Sequence, residues 1–211
     1  MNIFMGHFDI VLEELILQGI TIDEVIVENK SSNHKVIQFC QQRKIPFHII
    51  NSYEDLVKNF SKFEKKVDYC FVASFGKILK MDIIDKCNFI INFHPGDVFT
   101  CRGRHPLPSA ILHNYAEMGI TVHLIKDENI DAGPILYRLL MPIDYNSSYK
   151  NNENRLMRAL RHITSLVAED IKNGKIITLN WDVKKSIYFK PLENEILSEI
   201  IKANSLKDIQ T

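Results

Sequence analysis

The feature that most constrains the fold is the alternation of short apolar runs with helical patterns in the first half of the chain. Apolar runs at residues 3–5, 25–27 and 68–73 are typical of buried strands. Helical patterns at residues 10–18 and 35–43 lie between them. Because strand–helix–strand units of this length join parallel strands, the sequence predicts an α/β chain with a parallel sheet.

The second half continues the alternation and adds a long helix. Strands are predicted at residues 89–93, 119–125 and 135–140, and a helix should begin near Pro106, since proline suits a first helical turn. The polar stretch 146–154 leads into a helix whose apolar residues recur three or four apart, at Leu156, Leu160, Ile163, Val167 and Ile171.

The chain is predicted to form one main domain with a small appendage. Residues 1–174 form a Rossmann-like, mostly parallel sheet flanked by helices, and residues 175–211 form a short C-terminal strand and helix extension. Within the extension, residues 175–181 and 186–189 are predicted to pair as two strands, and a helix should follow at 195–203.

Charge and cysteine content exclude several classes of protein. The sequence has 26 Lys and Arg against 26 Asp and Glu, so it lacks the basic excess that binds a nucleic-acid backbone. No apolar run approaches the roughly 18 residues of a membrane span, and the first residues lack a secretion signal. The cysteines at 40, 70, 87 and 101 form no CxxC pair, so reduced thiols and no metal site are expected. We therefore expect a cytoplasmic protein with neither a nucleic-acid nor a membrane partner.

A polar pair, Asn92 and His94, stands at the end of the strand predicted at 89–93. Residues two apart on a strand share a face, and ligands bind at the carboxyl edge of an open parallel sheet. There a histidine can accept a proton near pH 7, and an asparagine amide can donate to a developing oxyanion. From the residues alone, a loop-capping asparagine and a surface histidine would look the same, and nothing in the spacing links the pair to the acidic cluster at 127–131.

Four short segments carry a more specific signal. They are Asn-Phe-His-Pro-Gly at 92–96, Arg-Gly-Arg-His-Pro at 102–106, Gly-Ile-Thr-Val-His at 119–123 and Ile-Asp-Ala-Gly-Pro-Ile at 130–135. In order and spacing they resemble the folate-dependent formyltransferases. The resemblance is close over residues 68–174, whereas residues 1–67 share only the alternation of strands and helices. These enzymes pass the formyl group of N10-formyltetrahydrofolate to an amine, so the resemblance implies that co-substrate, with no metal.

The resemblance implies that Asn92, His94 and Asp131 form the catalytic set. Asn92 would donate a hydrogen bond to the negative oxygen of the tetrahedral centre. His94 would move the proton from the attacking amine toward N10 of the departing folate. Asp131 would orient the imidazole and make it a stronger base.

The resemblance also implies where the ligands bind. The pterin should dock against the loop at residues 74–79, with folate contacts from Gly76, Lys77, Ile78, Arg104, Asp127, Glu128, Asn129 and Ile130. The acceptor contacts expected are His7, Asp97, Phe99 and Arg102, and His123 is expected beside the site in a packing or supporting role. Many relatives carry Ser-Leu-Leu-Pro where this chain has Gly-Asp-Val-Phe-Thr-Cys at 96–101, so Asp97 and Phe99 fit loop filler equally well.

Among the branches of this family, the nucleotide-sugar N-formyltransferases are the most similar. They resemble this chain in the short Gly-His segment after the first strand, in Arg-Gly-Arg-x-Pro, and in a short C-terminal extension that often forms a dimer. The acceptor would then be a nucleotide-linked amino sugar. A homodimer through Trp181, Tyr188 and Phe189 is a further expectation, although core packing explains these aromatic residues as well.

Other branches stay open as alternatives. Glycinamide ribonucleotide formyltransferase matches in length, but it typically has a glycine- and serine-rich phosphate loop where this chain has Gly6-His7-Phe8-Asp9. Less favoured are methionyl-tRNA formyltransferase, which normally has a further C-terminal domain, and formyltetrahydrofolate hydrolase, which usually has an N-terminal regulatory domain. A non-catalytic module that binds folate or a sugar nucleotide is a further alternative. A Rossmann-type oxidoreductase is disfavoured, because no G-x-G-x-x-G follows the first strand.

Overall fold

A computed structural model describes residues 1–209, apart from the side chains of Asn33 and Asp208. The strands are β1 (Asn2–Gly6), β2 (Glu24–Glu28), β3 (Phe47–Ile50), β4 (Val67–Ala73), β5 (Cys87–His94), β6 (Arg102–Gly103), β7 (Glu117–Leu124), β8 (Ile135–Pro142) and β9 (Tyr188–Phe189). The helices are α1 (Asp9–Leu17), α2 (His34–Arg43), α3 (Tyr53–Phe60), α4 (Met81–Ile84), α5 (Pro106–Leu112), α6 (Tyr149–Lys172) and α7 (Asn194–Lys202).

The main sheet has seven strands in the order β3-β2-β1-β4-β5-β7-β8. Strands β1 to β5 run parallel, while β7 and β8 are antiparallel to their neighbours. The predicted Rossmann-like, mostly parallel sheet is therefore confirmed. The chain builds outward from β1 to β3 and then returns to β4 on the other side of β1. This reversal opens a crevice at the carboxyl ends of β1 and β4, where open α/β sheets bind ligands.

Helices cover both faces of the sheet. One face packs against α1, α2, α5 and α6 through buried residues such as Leu12, Val36 and Leu160. The other face packs against α3 and α4 through residues such as Leu56 and Ile83. Because both faces are covered, the strands carry the nearly continuous apolar runs from which they were predicted. In the described part of the chain, no helix is long and apolar enough to cross a membrane.

The boundaries of the longest helix and of one short helix follow their caps. Helix α6 begins after Ser148, whose hydroxyl accepts from Asn151 N at 3.3 Å, and ends before Gly174, which has a φ of +64°. Helix α3 begins after Ser52, which forms a capping box with Asp55 as its spacing predicts.

The prediction of a strand pair in the C-terminal extension was wrong. Strand β9 pairs in parallel with β6 in a separate two-stranded sheet, and Leu179 instead bridges Ile135 at the start of β8. The residues between these two contacts include a 3₁₀ turn at Val183–Lys185 rather than a hairpin turn. Local pattern predicts an extended backbone, whereas the choice of partner depends on which backbone groups the rest of the fold leaves available.

Candidate active site

A cleft of about 670 Å³ opens at the carboxyl edge of the sheet. Its floor is formed by residues at the ends of β1, β4 and β5, at the crevice described above. Asn92, His94 and Asp131 all line it, as do His123 and His7. The structure thus brings together the three residues predicted as catalytic, although Asp131 comes from the loop between β7 and β8 rather than from the same strand.

The amide of Asn92 is held by two partners. Its Nδ2 donates to Asp131 Oδ1 at 3.1 Å and to His123 Nε2 at 3.0 Å. Since one amide nitrogen carries two hydrogens, both are engaged in this arrangement. A bound carbonyl oxygen would have to displace one of these partners to receive a hydrogen bond from Asn92.

His94 is nearly enclosed, with an exposed fraction of 5%. Its Nε2 lies 2.9 Å from the carbonyl oxygen of Cys101, and its Nδ1 lies 3.5 Å from Asp131 Oδ2. A carbonyl oxygen only accepts, so Nε2 carries a proton in this arrangement. The ring is packed against Gly96, because a Cβ there would lie 2.5 Å from Nε2.

Asp131 is the centre of the polar network. Its Oδ2 accepts from Gly103 N at 2.9 Å, and its Oδ1 lies 3.3 Å from His123 Nε2. Burial by itself raises the pKa of this carboxyl, but the neighbouring His94 and His123 and the Gly103 amide outweigh burial and hold the pKa of Asp131 well below its usual range. The carboxylate is therefore ionised at neutral pH.

His123 lies on β7 directly opposite Asn92 of β5. Its Nδ1 donates to the carbonyl of Leu124 at 3.1 Å, and its Nε2 lies 3.0 Å from Asn92 Nδ2 and 3.3 Å from Asp131 Oδ1. His123 therefore lies beside the site, as expected, and it contacts two of the three predicted catalytic side chains.

The backbone around the cleft is strained at three non-glycine residues. Ser74, His105 and Asp131 all line the cleft with φ values of +58°, +56° and +48°. Such conformations cost energy and concentrate at sites that bind ligands or catalyse reactions. Their positions around one cleft are independent support for its being a functional site.

All eight residues predicted to contact folate line the same cleft: Gly76, Lys77, Ile78, Arg104, Asp127, Glu128, Asn129 and Ile130. Two side chains contact the backbone of Gly76 closely. Its amide donates to Glu28 Oε2 at 2.7 Å, and its carbonyl accepts from Arg104 Nη2 at 2.9 Å. A Cβ at this position would lie 2.6 Å from the ammonium of Lys30. Ile78 contributes an exposed apolar side chain to this lining, and Asp127 contributes a carboxylate.

Of the four residues predicted to contact the acceptor, the structure brings only His7 into the cleft lining. Burial lowers the pKa of His7, so this ring is neutral at pH 7. Asp97 is buried and paired with Arg138 at 2.8 and 3.0 Å, and Phe99 packs on the Trp181 ring at 4.8 Å.

Arg102 is also absent from the cleft lining, and its guanidinium donates to the Ile130 carbonyl. Asp97, Phe99 and Arg102 are thus outside the cleft lining and each side chain is occupied by protein partners, while their contact with the acceptor stays a prediction.

Other residues line the cleft that sequence reasoning did not single out. Lys30 follows β2 at the same sheet edge, which is the one signal that could have indicated it. Tyr149 and Glu153 come from the first turns of α6 and carry no sequence motif. Tyr188 of β9, which was expected at a dimer interface, also lines the cleft. Among the described residues, no group of three or more His, Cys, Asp or Glu has the arrangement of a metal site.

Comparison with known proteins identifies the family. The formyl transferase family model matches residues 7–167, and the chain therefore belongs to the formyl transferase family. This confirms the resemblance drawn from the four sequence segments.

Mitochondrial methionyl-tRNA formyltransferase from Bos taurus is 34% identical over 113 residues, which are 51% of this chain and 29% of that protein. The chain thus spans less than a third of this curated relative.

Two solved structures share the fold at low sequence identity. The N-formyltransferase from Helicobacter canadensis, in complex with folinic acid and dTDP-3-aminofucose, is 21% identical with a TM-score of 0.71, over 89% of this chain and 70% of that chain. Phosphoribosylglycinamide formyltransferase from Bacillus halodurans is 18% identical with a TM-score of 0.69, over 81% of this chain and 93% of that chain.

Proposed function

We propose that this protein is an N-formyltransferase that moves the formyl group of N10-formyltetrahydrofolate to the amine of a nucleotide-linked amino sugar. The observation that carries the proposal is the cluster in which Asp131 contacts both Asn92 and His94, in a cleft that is also lined by every residue expected to contact folate. Bound N10-formyltetrahydrofolate supplies the formyl carbon, and the residues of the chain supply a hydrogen-bond donor, a proton carrier and a fixed negative charge.

Asn92 is proposed to stabilise negative charge on the formyl oxygen. To do so, its amide exchanges the 3.0 Å contact with His123 for a contact with that oxygen, while Asp131 retains the other hydrogen. A preorganised donor of this kind is worth about 10²–10³ in kcat. His123 is then the hydrogen-bond partner of Asn92 until the formyl group binds.

His94 is proposed to carry the proton from the attacking amine to the leaving nitrogen of the folate. In its resting arrangement Nε2 donates to Cys101 O, so the ring can take a proton there only after its hydrogen has moved to Nδ1, which faces Asp131. We infer that the incoming amine replaces the Cys101 carbonyl as the partner of Nε2. Asp131, ionised at neutral pH, stabilises the charged ring that results.

The loop after β1 favours an amino sugar over glycinamide ribonucleotide as the acceptor. The amides of His7 and Phe8 both point at the Ala73 carbonyl, at 3.1 and 3.4 Å, and the first helical residue, Asp9, adds a negative charge. A phosphate cradle needs amides that point at the ligand and avoids carboxylates. The acceptor phosphates are therefore proposed to lie elsewhere in the cleft.

Methionyl-tRNA is the second candidate acceptor, because a curated methionyl-tRNA formyltransferase is 34% identical over the matched segment. The equal numbers of basic and acidic residues weigh against it, since binding of a tRNA backbone is driven by excess positive charge.

The proposal is tested in two stages with the purified protein. The unreactive folate analogue 5-formyltetrahydrofolate should bind and protect the loop around Gly76 from hydrogen exchange. Incubation with N10-formyltetrahydrofolate and a dTDP-linked amino sugar should then give a product heavier by one CO group, as measured by mass spectrometry. The His94→Ala variant should bind the analogue yet form no product. Product formation by that variant, or no binding by the wild type, would contradict the proposal.

A further inference from the structure

The loop between β7 and β8, residues 125–134, holds Asp131 in a conformation that needs external support. The φ of Asp131 is +48°, in the left-handed region that side-chain-bearing residues avoid. Such conformations persist only where surrounding contacts fix them. The contacts that hold this loop therefore determine where the carboxylate points.

Arg102 holds the N-terminal flank of Asp131. Its Nε and Nη2 donate to the carbonyl of Ile130 at 2.9 and 2.8 Å, while the amide of the next residue, Gly103, binds the Asp131 carboxylate itself. The third nitrogen, Nη1, donates to Ser186 Oγ in the C-terminal extension at 3.0 Å. The side chain that fixes Ile130 is thus itself fixed by the extension.

Trp181 holds the other flank of Asp131. Its indole Nε1 donates to the carbonyl of Gly133 at 2.9 Å. Two residues earlier, Leu179 exchanges backbone hydrogen bonds with Ile135, at 2.9 and 2.8 Å. The extension therefore binds the backbone on the C-terminal side of Asp131 directly, and it reaches the N-terminal side through Arg102.

We propose that Arg102 and Trp181 are positioning residues for Asp131, and that residues 179–188 act as a clamp on the loop at 125–134. The extension then belongs to the catalytic unit and is not a separate appendage. The proposal rests on the proposed function, because that function is what gives Asp131 a role in formyl transfer.

Trp181→Phe tests the clamp with a small change, since phenylalanine keeps a ring against Phe99 but lacks the indole N–H. We expect kcat to fall about tenfold to a hundredfold, as for a reacting group displaced by up to about 1 Å. Arg102→Lys, which cannot make the paired contact to Ile130, should act in the same direction. The exposed Lys175 lies in the same extension but outside residues 179–188, and Lys175→Ala should leave kcat unchanged.

A double-mutant cycle separates positioning from general destabilisation. In the Asp131→Asn background no carboxylate remains to be positioned, so adding Trp181→Phe should change kcat by less than about twofold. Equal losses in the two backgrounds would show that Trp181 does not act through Asp131 and would overturn the proposal.

Amide hydrogen exchange tests the clamp independently of catalysis. Residues 125–134 should exchange faster in Trp181→Phe and Arg102→Lys than in wild type or Lys175→Ala, with thermal unfolding confirming that each variant is folded. If Trp181→Phe fails to fold, Arg102→Lys decides the question. Unchanged exchange in this loop would overturn the clamp, whereas failure of the wild type to transfer formyl groups would contradict only the proposed function.

Discussion

Replacing Gly96 by alanine should disable the site by moving His94. A Cβ at Gly96 would lie 2.5 Å from His94 Nε2 and 2.4 Å from Pro106 Cβ, both closer than side-chain carbons approach other atoms. Pro106 opens α5 and is rigid, whereas the imidazole can tilt. The His94 ring is therefore the group that gives way.

The size of the effect follows from the distances. Ordinary van der Waals contact begins at 3.4 Å, so the ring must move by about 1 Å, and a displacement of that size costs roughly 10²-fold in rate. The movement also breaks the 2.9 Å contact between Nε2 and Cys101 O. Overpacking should lower the free energy of unfolding by about 1–3 kcal/mol.

The assay compares kcat and the free energy of unfolding of Gly96→Ala with those of a matched variant, Gly119→Ala. The control overpacks a different position, where the new Cβ would lie 2.9 Å from Asp97 Cβ and 3.0 Å from Leu140 Cδ2. We expect both variants to lose stability and only Gly96→Ala to lose most of its kcat. Full activity of Gly96→Ala, or equal losses of kcat in both variants, would refute the reasoning.

The remaining predictions concern the same site. Asn92→Ala should lower kcat by about 10²–10³ and His94→Ala by about 10²–10⁴, with native circular dichroism spectra; an active His94→Ala enzyme would contradict the mechanism. Asp131→Asn should lower turnover and shift the acidic limb of the pH profile of kcat, and an unchanged profile would argue against its action on His94. Because the folded-state pKa of Asp131 lies below its unfolded value of about 3.9, its carboxylate stabilises the fold above that pH and loses this contribution as the pH falls toward the lowered pKa. The difference in urea stability between wild type and Asp131→Asn should accordingly shrink below about pH 4, and a constant difference would contradict the assignment. Activity should survive a strong chelator, and its loss would point to a metal in the site.

Local sequence pattern predicts where the site lies, but it does not predict all of the residues that form the site. Strand alternation puts Asn92 and His94 on one face at the correct edge of the sheet, as the structure has them. Asp131 comes from a distant loop, and only the four-segment resemblance linked it to His94. The structure brings the three side chains together, while their catalytic roles remain a prediction.

The contacts of loop side chains could not be predicted, because local sequence does not encode the direction in which a loop side chain points. Asp97 pairs with Arg138 across 41 positions of the chain, and Arg102 reaches Ser186 across 84. Neither partner is visible from spacing or composition. The two strands expected to pair within the C-terminal extension failed for the same reason, because each finds its partner in the main domain.

The central claim is tested most directly by offering the wild-type protein N10-formyltetrahydrofolate with three kinds of acceptor in parallel: a panel of nucleotide-linked amino sugars, glycinamide ribonucleotide and methionyl-tRNA. The measurement is kcat/KM for release of tetrahydrofolate with each. We predict turnover with at least one amino-sugar nucleotide and none with the other two acceptors. Turnover with glycinamide ribonucleotide or methionyl-tRNA alone would contradict the proposed acceptor, and no turnover with any acceptor would contradict formyl transfer itself.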